Sequence, residues 1–406
     1  MTGTTARGAP LTIDEEGALA LLTGPTGTEL LELALATAGL RRRDSRIHEV
    51  QHRPGDGITV GFVVTVEAPG GGCAQEYVHL SSTRGRDIPV DAPGVVSLDG
   101  PDGRVVAWRH PDDPALPALA TACEPDALAA VLPGTGLVTA LELVGYRPLR
   151  RAVLRAEQGG SVHWVKVLRP HGCGGASDVR RRHALLAGAG LPVPAVTAWT
   201  DDGLVVLSPA DGAPLLDAIV TDGARGLELD AFTDLLDDLP AEAARLHPRP
   251  SWSDRVARYA DALAAEPGLA DRARALAAVM AQDVDLGPVV ATHGDFHEGQ
   301  LTVRREPRGW RVVGLLDVDT VGPGHRVDDL ACLLAHVLAL GPSAQPVADR
   351  WWGQAVTRVD ERALRVRTAG VLLSLAAGAI HRPGVGLPAE ALLTIAESLT
   401  APARAY

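Results

Sequence analysis

The segment HGDFHEGQ at residues 293–300 decides how this chain is interpreted. It follows the apolar run VVAT at residues 289–292, which predicts a buried strand that leads into a polar loop. Two acidic segments come after it, DVD at residues 317–319 and DDLA at residues 328–331. Histidines, carboxylates and an amide in this order indicate a chemical site, and their identities suggest what it does.

These side chains match the requirements of phosphoryl transfer. That reaction needs a carboxylate that orients the acceptor hydroxyl, oxygen ligands for magnesium, and a cation beside the non-transferred phosphates. Asp295 can be the carboxylate. Gln300 can offer an amide oxygen and Asp317 a carboxylate to Mg²⁺, which prefers hard oxygen ligands. Lys166, in the predicted strand HWVKVL, can reach the α- and β-phosphates of ATP.

The composition draws attention to the same lysine. Among 38 basic residues, Lys166 is the only lysine, and the chain has no asparagine. Heavy use of Ala, Arg, Gly and Pro suggests a coding bias that replaced lysine by arginine wherever a positive charge was enough. A retained lysine then indicates a need for a compact ammonium group on a flexible stem, although chance survival also explains it.

The pattern H-G-D-x-H-x-G-Q, then L-x-D-x-D, then D-D-L-A resembles the aminoglycoside phosphotransferase-like family. That family resembles the eukaryotic protein kinases in fold, and the resemblance covers residues 139–340. It implies ATP and Mg²⁺ as cofactors. The residues that it assigns are the ATP-binding Lys166, the catalytic Asp295, the metal ligand Asp317 and Asp329, a buried brace for the catalytic loop.

The resemblance also suggests roles for flanking residues. Residues 207–210 fall where a hinge strand would present backbone groups to adenine, which makes Ser208, Pro209 and Ala210 candidate ATP-binding residues. His293 becomes a structural residue of the loop, and His297 and Glu298 candidate substrate contacts. Asp319 has three interpretations: a second metal ligand, a substrate contact, or a solvated loop carboxylate.

Three features depart from the family pattern. Gln300 stands where most members have asparagine, and in this it resembles the maltokinase-like and bacterial glucosamine kinase-like branches, which also carry an extra N-terminal cap. The glutamate expected to pair with Lys166 is missing, since the next predicted helix offers Asp178 and His183 instead. No glycine-rich phosphate loop is evident beyond the turn at Gly159-Gly160.

The predicted fold class is α+β, a two-lobed protein-kinase-like fold with an extra N-terminal α/β cap. The cap comprises residues 1–138, where residues 28–40 have helical periodicity and residues 45–110 are rich in strand formers. A small β-rich ATP-binding lobe is predicted at residues 139–210. A large α-rich catalytic lobe is predicted at residues 211–406.

Bulk composition narrows the environment and the partners. A net charge of -12 argues against a nucleic-acid-binding protein, which needs a basic face. No apolar run is long enough for a membrane span, and residues 1–10 lack the apolar core of a secretory signal. Four scattered cysteines have no metal-ligand spacing. We therefore expect a cytoplasmic monomer or dimer that acts on a small molecule.

The predicted reaction moves the γ-phosphoryl group of ATP to a hydroxyl of a sugar or aminosugar. One alternative is an aminoglycoside or other antibiotic kinase. A second is a non-catalytic pseudokinase scaffold, which the missing lysine partner favours. A third is a two-metal hydrolase, in which the alternating His293, Asp295 and His297 bind metal with Asp317.

Overall fold

The computed structural model describes most of the chain. The described residues are 15–53, 57–68, 70–83, 88–89, 91–100, 103–264, 266, 268–380 and 386–401. The N-terminal segment that was weighed as a secretory signal lies outside them. The chain forms two compact units, the first from Met1–Ser177 with Thr197–Leu207 and the second from Asp178–Val196 with Ser208–Tyr406.

The first unit begins with two helices and an antiparallel sheet. The helices are α1 (Glu15–Thr23) and α2 (Pro25–Ala36), and the strands are β1 (Arg41–Arg53), β2 (Gly57–Glu67), β3 (Cys73–Thr83), β4 (Val95–Gly100) and β5 (Gly103–Arg109). The sheet order is β1-β2-β3-β5-β4. Alternate β2 residues, from Val60 to Val66, are buried against Leu31 and Leu35 of α2, as the period of two requires. The helix predicted at residues 28–40 is therefore confirmed, whereas α1 was not predicted.

A second five-stranded sheet contains the only lysine. Its strands are β6 (Val138–Arg147), β7 (Arg151–Gln158), β8 (Ser161–Leu168), β9 (Val196–Trp199) and β10 (Leu204–Leu207), in the order β6-β7-β8-β10-β9. Gly159 and Gly160, both with positive φ, join β7 to β8. A two-residue hairpin of this type requires that conformation at both positions. Lys166 lies in the central strand β8, opposite Val153 of β7 and Val205 of β10.

Two short helices cover one face of this sheet. They are α3 (Leu119–Cys123) and α4 (Pro125–Ala129). Leu119 and Leu128 pack with Val165 and Val167 of β8 in one hydrophobic cluster. Because successive side chains of a strand point to opposite faces, Lys166 points away from this cluster. Its side chain is nevertheless largely buried, with 8% exposed.

The second unit is mainly helical. Its α-helices are α5 (Ala176–Gly188, of which the first two residues belong to the first unit), α6 (Leu215–Asp222), α7 (Asp230–Asp237), α8 (Val256–Ala262), α9 (Ala270–Met280), α10 (Arg326–Ala339), α11 (Gln345–Ala355), α12 (Glu361–Ala379) and α13 (Ala389–Thr400). Short 3-10 helices lie at Ala241–Arg245, Ser253–Arg255, Glu298–Gln300, Val318–Thr320 and Pro342–Ala344. None of the helices formed by the described residues combines the length and apolar character needed to cross a bilayer.

Two small sheets frame the HGDFHEGQ segment within the second unit. One has the order β11-β13-β14 and the other pairs β12 with β15. The strands are β11 (Ala213–Pro214), β12 (Val289–Thr292), β13 (Leu301–Glu306), β14 (Gly309–Leu315) and β15 (Gly322–His325). Phe296, inside the segment, is fully buried and packs edge-to-face on Phe232. Phe296 therefore anchors the polar loop to the hydrophobic core.

Candidate active site

A sharp backbone turn follows β12 and places Asp295 in the loop. Gly294 has φ of 79°, a left-handed conformation that side chains disfavour. A Cβ atom at this position would lie 3.0 Å from the carbonyl oxygen of Thr320. The glycine in the motif is therefore required by both the backbone conformation and the close approach of Thr320.

Asp329 holds this turn through two backbone hydrogen bonds. It lies in the first turn of α10 and is fully buried. The amide of Gly294 donates to its Oδ1 at 2.8 Å, and the amide of His293 donates to its Oδ2 at 2.9 Å. Burial raises the pKa of Asp329, and these hydrogen bonds oppose the rise. The position agrees with the predicted brace of the catalytic loop.

His293 is tied to the backbone of the next segment. Its ring is fully buried, and Nε2 donates to the carbonyl oxygen of Leu316 at 2.9 Å. The hydroxyl of Thr320 donates to the His293 carbonyl at 2.7 Å. Because a carbonyl oxygen only accepts, Nε2 carries the ring proton, and Nδ1 is buried without a hydrogen-bond partner among the described residues.

Asp295 receives a hydrogen bond from a residue that the sequence did not identify. Nε1 of Trp252 donates to Oδ1 of Asp295 at 2.9 Å. The indole of Trp252 also packs near the ring of Tyr259, with 6.5 Å between centroids. Trp252 lies 43 residues before Asp295 in the chain. Because no local pattern links the two, only the three-dimensional structure reveals the contact.

A cavity of about 260 Å³ adjoins this hydrogen bond. Its lining includes Trp252 and Gly294 together with the acidic residues Asp254 and Asp328. Arg367 donates to Asp328 Oδ1 at 2.5 Å and to Asp254 Oδ1 at 2.8 Å. Burial raises the pKa of Asp328. For Asp254, burial is outweighed by the charge of Arg367 together with hydrogen bonds from Arg367 and Ser251, so its pKa is lowered. The lining therefore combines carboxylates with Arg249, His325 and apolar side chains.

A backbone hydrogen bond links the segments that contain the candidate metal ligands Gln300 and Asp317. The amide of Leu316, just before Asp317, donates to the carbonyl oxygen of Gln300 at 2.8 Å. Asp317 has φ of 51°, a conformation that is uncommon for residues other than glycine and clusters at functional sites. Asp319 is only 6% exposed, so its interpretation as a solvated loop carboxylate is wrong. An amide oxygen and two carboxylates form a donor set that fits Mg²⁺.

A cluster of titratable side chains lies in the same loop as Asp295. It consists of His297 and Glu298 from the loop and His336 from α10. The rings of His297 and His336 stack with 4.1 Å between centroids, and Glu298 Oε2 lies 3.5 Å from Nδ1 of each ring. Burial lowers the pKa of His336 to about 4. Burial also opposes charge on His297 and Glu298. Their mutual contact outweighs burial together with the charges of Asp295 and Asp317 on His297 and of His336 on Glu298, so the pKa of His297 is raised and that of Glu298 is lowered. His336, on α10, was not identified from the sequence.

The candidate nucleotide residues lie in different units and are described separately. Lys166 belongs to the first unit, as described above. In the second unit, the amide of Ser208 donates to the carbonyl oxygen of Ala195 at 2.9 Å, and the Ser208 hydroxyl accepts from the amide of Ala195 at 3.0 Å. Pro209 has no N–H. Of these three hinge residues, Ala210 is therefore the one whose amide can serve as a donor to adenine.

Asp178, considered as a substitute partner for Lys166, has local ion pairs. It contacts Arg181 at 3.1 Å and also contacts the buried Arg182, both on α5. Nε of Arg182 donates to the carbonyl oxygen of Val321 at 2.9 Å. His183 contacts the carbonyl oxygen of Pro194 at 3.0 Å. These contacts link α5 to the segments on either side of the catalytic loop within the second unit.

Comparisons with known structures find chains of similar architecture at low identity. A thermostable mutant of aminoglycoside phosphotransferase APH(4)-Ia has 14% identity and a TM-score of 0.48, over 65% of this chain and 95% of that one. Choline kinase LicA from Streptococcus pneumoniae has 15% identity and a TM-score of 0.43, over 65% and 93%. Macrolide 2'-phosphotransferase MphH from Brachybacterium faecium has 20% identity and a TM-score of 0.40, over 66% and 93%.

The sequence itself matches a family and no individual curated protein. None of the curated proteins matches this chain. The model of the phosphotransferase enzyme family matches residues 151–365, which is more than half of the 406 residues and includes Lys166, Asp295, Asp317 and Asp329. The chain therefore belongs to the phosphotransferase enzyme family and is a small-molecule phosphotransferase.

Proposed function

We propose that this enzyme transfers the γ-phosphoryl group of ATP to a hydroxyl of a sugar or aminosugar. The observation that carries the proposal is the carboxylate of Asp295, which accepts a hydrogen bond from Trp252, a residue that lines a cavity of about 260 Å³. Asp295 orients the acceptor hydroxyl and takes its proton. The acceptor oxygen forms a bond to the γ-phosphorus as the bond from that phosphorus to the bridging oxygen breaks, and ADP leaves.

The remaining candidate residues bind the nucleotide. Gln300, Asp317 and Asp319 would hold Mg²⁺, which neutralises charge on the phosphates when bound. Lys166 binds the α- and β-phosphates, and the backbone of residues 208–210 contacts adenine. The family pattern expects a glutamate beside this lysine, and the next helix offers Asp178 and His183 instead. Nucleotide binding is therefore a part of the proposal that needs its own measurement.

The size of the cavity favours a small acceptor. Pockets for drug-sized ligands occupy roughly 300–1,000 Å³. A cavity of about 260 Å³ is smaller and suits a single sugar ring better than a multi-ring aminoglycoside. Asp254, Asp328 and Arg249 in the lining offer hydrogen-bond acceptors and donors to the hydroxyl groups of a sugar.

The test is a screen of sugars, aminosugars and aminoglycosides for acceptor-dependent ADP release, with nucleotide binding followed by calorimetry. We expect turnover with a monosaccharide or its amino derivative. Turnover only with aminoglycosides would favour the antibiotic kinase. Neither turnover nor nucleotide binding would overturn the proposal and favour the pseudokinase scaffold.

Asp295→Asn tests the assigned base. We expect kcat to fall by roughly 10²–10⁴-fold, the usual contribution of a positioned acid or base. Nucleotide affinity should be retained, because the substitution keeps the shape of the side chain. The matched control is Asp234→Asn, which changes an exposed carboxylate on α7. Normal turnover in Asp295→Asn would refute the assignment.

A further inference from the structure

The cluster of His297, Glu298 and His336 has the chemistry of a site for a second kind of metal ion. One ligand atom from each residue lies within 4.8 Å of the other two. Oε2 of Glu298 is buried and accepts no hydrogen bond from the described residues. The three side chains are 17%, 13% and 21% exposed, so the cluster is partly open to solvent although Oε2 itself is covered. A buried carboxylate oxygen without a hydrogen bond, placed between two imidazoles, indicates a site where an ion can bind.

We propose that these three residues bind a divalent transition-metal ion of the zinc type. Two histidines and one glutamate are a donor set that holds zinc and leaves a fourth position open. Ligands about 2.0–2.2 Å from a tetrahedral ion lie roughly 3.3–3.6 Å apart. The two separations between Glu298 Oε2 and the Nδ1 atoms, each 3.5 Å, meet this requirement.

Binding changes the orientation of the two rings. Their planes are 13° from parallel, so the Nδ1 lone pairs do not yet point at one position. Each ring must tilt toward Glu298, and His297 Nδ1 must release the hydrogen bond that it accepts from the amide of Gly299 at 3.1 Å. The stacked pair is therefore the metal-free arrangement of the site.

A metal ion at this site also affects the proposed magnesium site, and this step rests on the proposed function. Nε2 of His297 lies 3.1 Å from Nε2 of Gln300. Nδ1 accepts from the amide of Gly299 in the metal-free arrangement, so Nε2 carries the proton and the amide oxygen of Gln300 is the group that can accept it. When the ring tilts to bind zinc, this contact changes, and with it the position of the amide oxygen that would bind Mg²⁺. The two metal sites are therefore coupled.

The site is tested by calorimetric titration of zinc sulfate into tag-free, metal-free enzyme. We expect one zinc ion per chain, and at least a tenfold weaker affinity in His336→Ala and in Glu298→Gln. His171→Ala is the matched control, since His171 is exposed and belongs to no candidate metal cluster of the described residues. X-ray absorption of the bound zinc should show two imidazole ligands. Zinc binding that is unchanged in His336→Ala would overturn the site.

The coupling between the two sites is tested by repeating the titration with saturating magnesium and ADP. Because coupling between two ligands is reciprocal, we expect the zinc affinity there to differ from that in their absence. In Glu298→Gln any residual zinc affinity should respond less to magnesium. An unchanged zinc affinity in the wild type would overturn the coupling. Zinc binding at His336 in an enzyme that phosphorylates no acceptor would refute the proposed function and leave the zinc site standing.

Discussion

Two buried aspartates, one in each compact unit, solve the same structural problem. Asp329 in the second unit is fully buried, and Asp113 in the first unit is 2% exposed. Burial raises the pKa of both carboxyl groups. Each accepts a hydrogen bond from the backbone amide of a residue with positive φ, Gly294 for Asp329 and Leu149 for Asp113. Neither amide has a strand or helix partner at these turns.

The two aspartates differ in the kind of segment that lies next to the turn they stabilise. Asp329 braces the residues on either side of Gly294, next to the candidate base Asp295. Asp113 accepts from the amide of Leu149 at 2.8 Å and from the hydroxyl of Tyr146 at 2.7 Å, at the turn between β6 and β7. Asp113 also lies outside the residues that match the family. The same chemistry therefore supports the candidate catalytic loop in one unit and a turn between two strands in the other.

Asp329→Asn should give the largest effect and would sharpen this contrast. An amide side chain can accept from only one of the two backbone amides and places its own N–H₂ against the other. Displacement of a catalytic group by about 1 Å can lower kcat by roughly 100-fold. An unsatisfied buried donor also lowers the free energy of unfolding by about 1–3 kcal/mol. ADP release and urea unfolding measure the two effects, with Asp234→Asn again as the control.

The distinction between the aspartates fails if Asp329→Asn keeps the wild-type kcat. In that case the backbone of the loop would hold Asp295 without the brace. A loss of stability alone would place Asp329 in the same structural class as Asp113. The kinetic measurement therefore decides between the two interpretations.

Asp113→Asn should lower stability and leave catalysis intact. Oδ2 accepts two hydrogen bonds and Oδ1 accepts one, from the amide of Ala115 at 2.9 Å. Asparagine cannot accept all three, so we expect the free energy of unfolding to fall by about 1–3 kcal/mol. Urea unfolding measures this, and kcat should be unchanged. Asp112→Asn, at the neighbouring and less buried aspartate, is the matched control. A lower kcat at normal stability would show that Asp113 has a functional role.

The same two aspartates show how far the sequence allows prediction. Asp329 and His293 are 36 residues apart, and so are Asp113 and Leu149. Asp329 was predicted because the D-D-L-A motif resembles that of a known family. No motif in the sequence marks Asp113. The two contacts therefore span the same distance along the chain. Asp329 was predicted and Asp113 was not, because only Asp329 lies in a motif that resembles a known family.

Periodicity and composition predicted individual helices, strands and turns. They did not predict contacts between segments that are distant in the sequence. The β-rich order before the α-rich order, the hairpin at Gly159-Gly160 and the helix α2 all follow from short-range rules. Trp252 and His336 touch the candidate site only because α10 and the segment before α8 pack beside the loop. Such packing depends on many side chains at once, so no single local pattern predicts it.

Trp252→Phe should give the smallest of these effects and would test how much positioning Asp295 needs beyond the brace. The backbone around Asp295 is held by Asp329, whereas its carboxylate is held through the indole N–H of Trp252. Phenylalanine keeps a ring beside Tyr259 and removes only this donor. A hydrogen bond to a charged group contributes about 1.5–3 kcal/mol at most, so a partial loss of orientation should lower kcat by roughly tenfold. The KM for ATP should not change. The control is Tyr259→Phe, which keeps a ring beside Trp252 and leaves the indole N–H donor of Trp252 in place. If Trp252→Phe raises only the KM for the acceptor, then Trp252 contacts the acceptor in the cavity and the braced backbone alone orients Asp295.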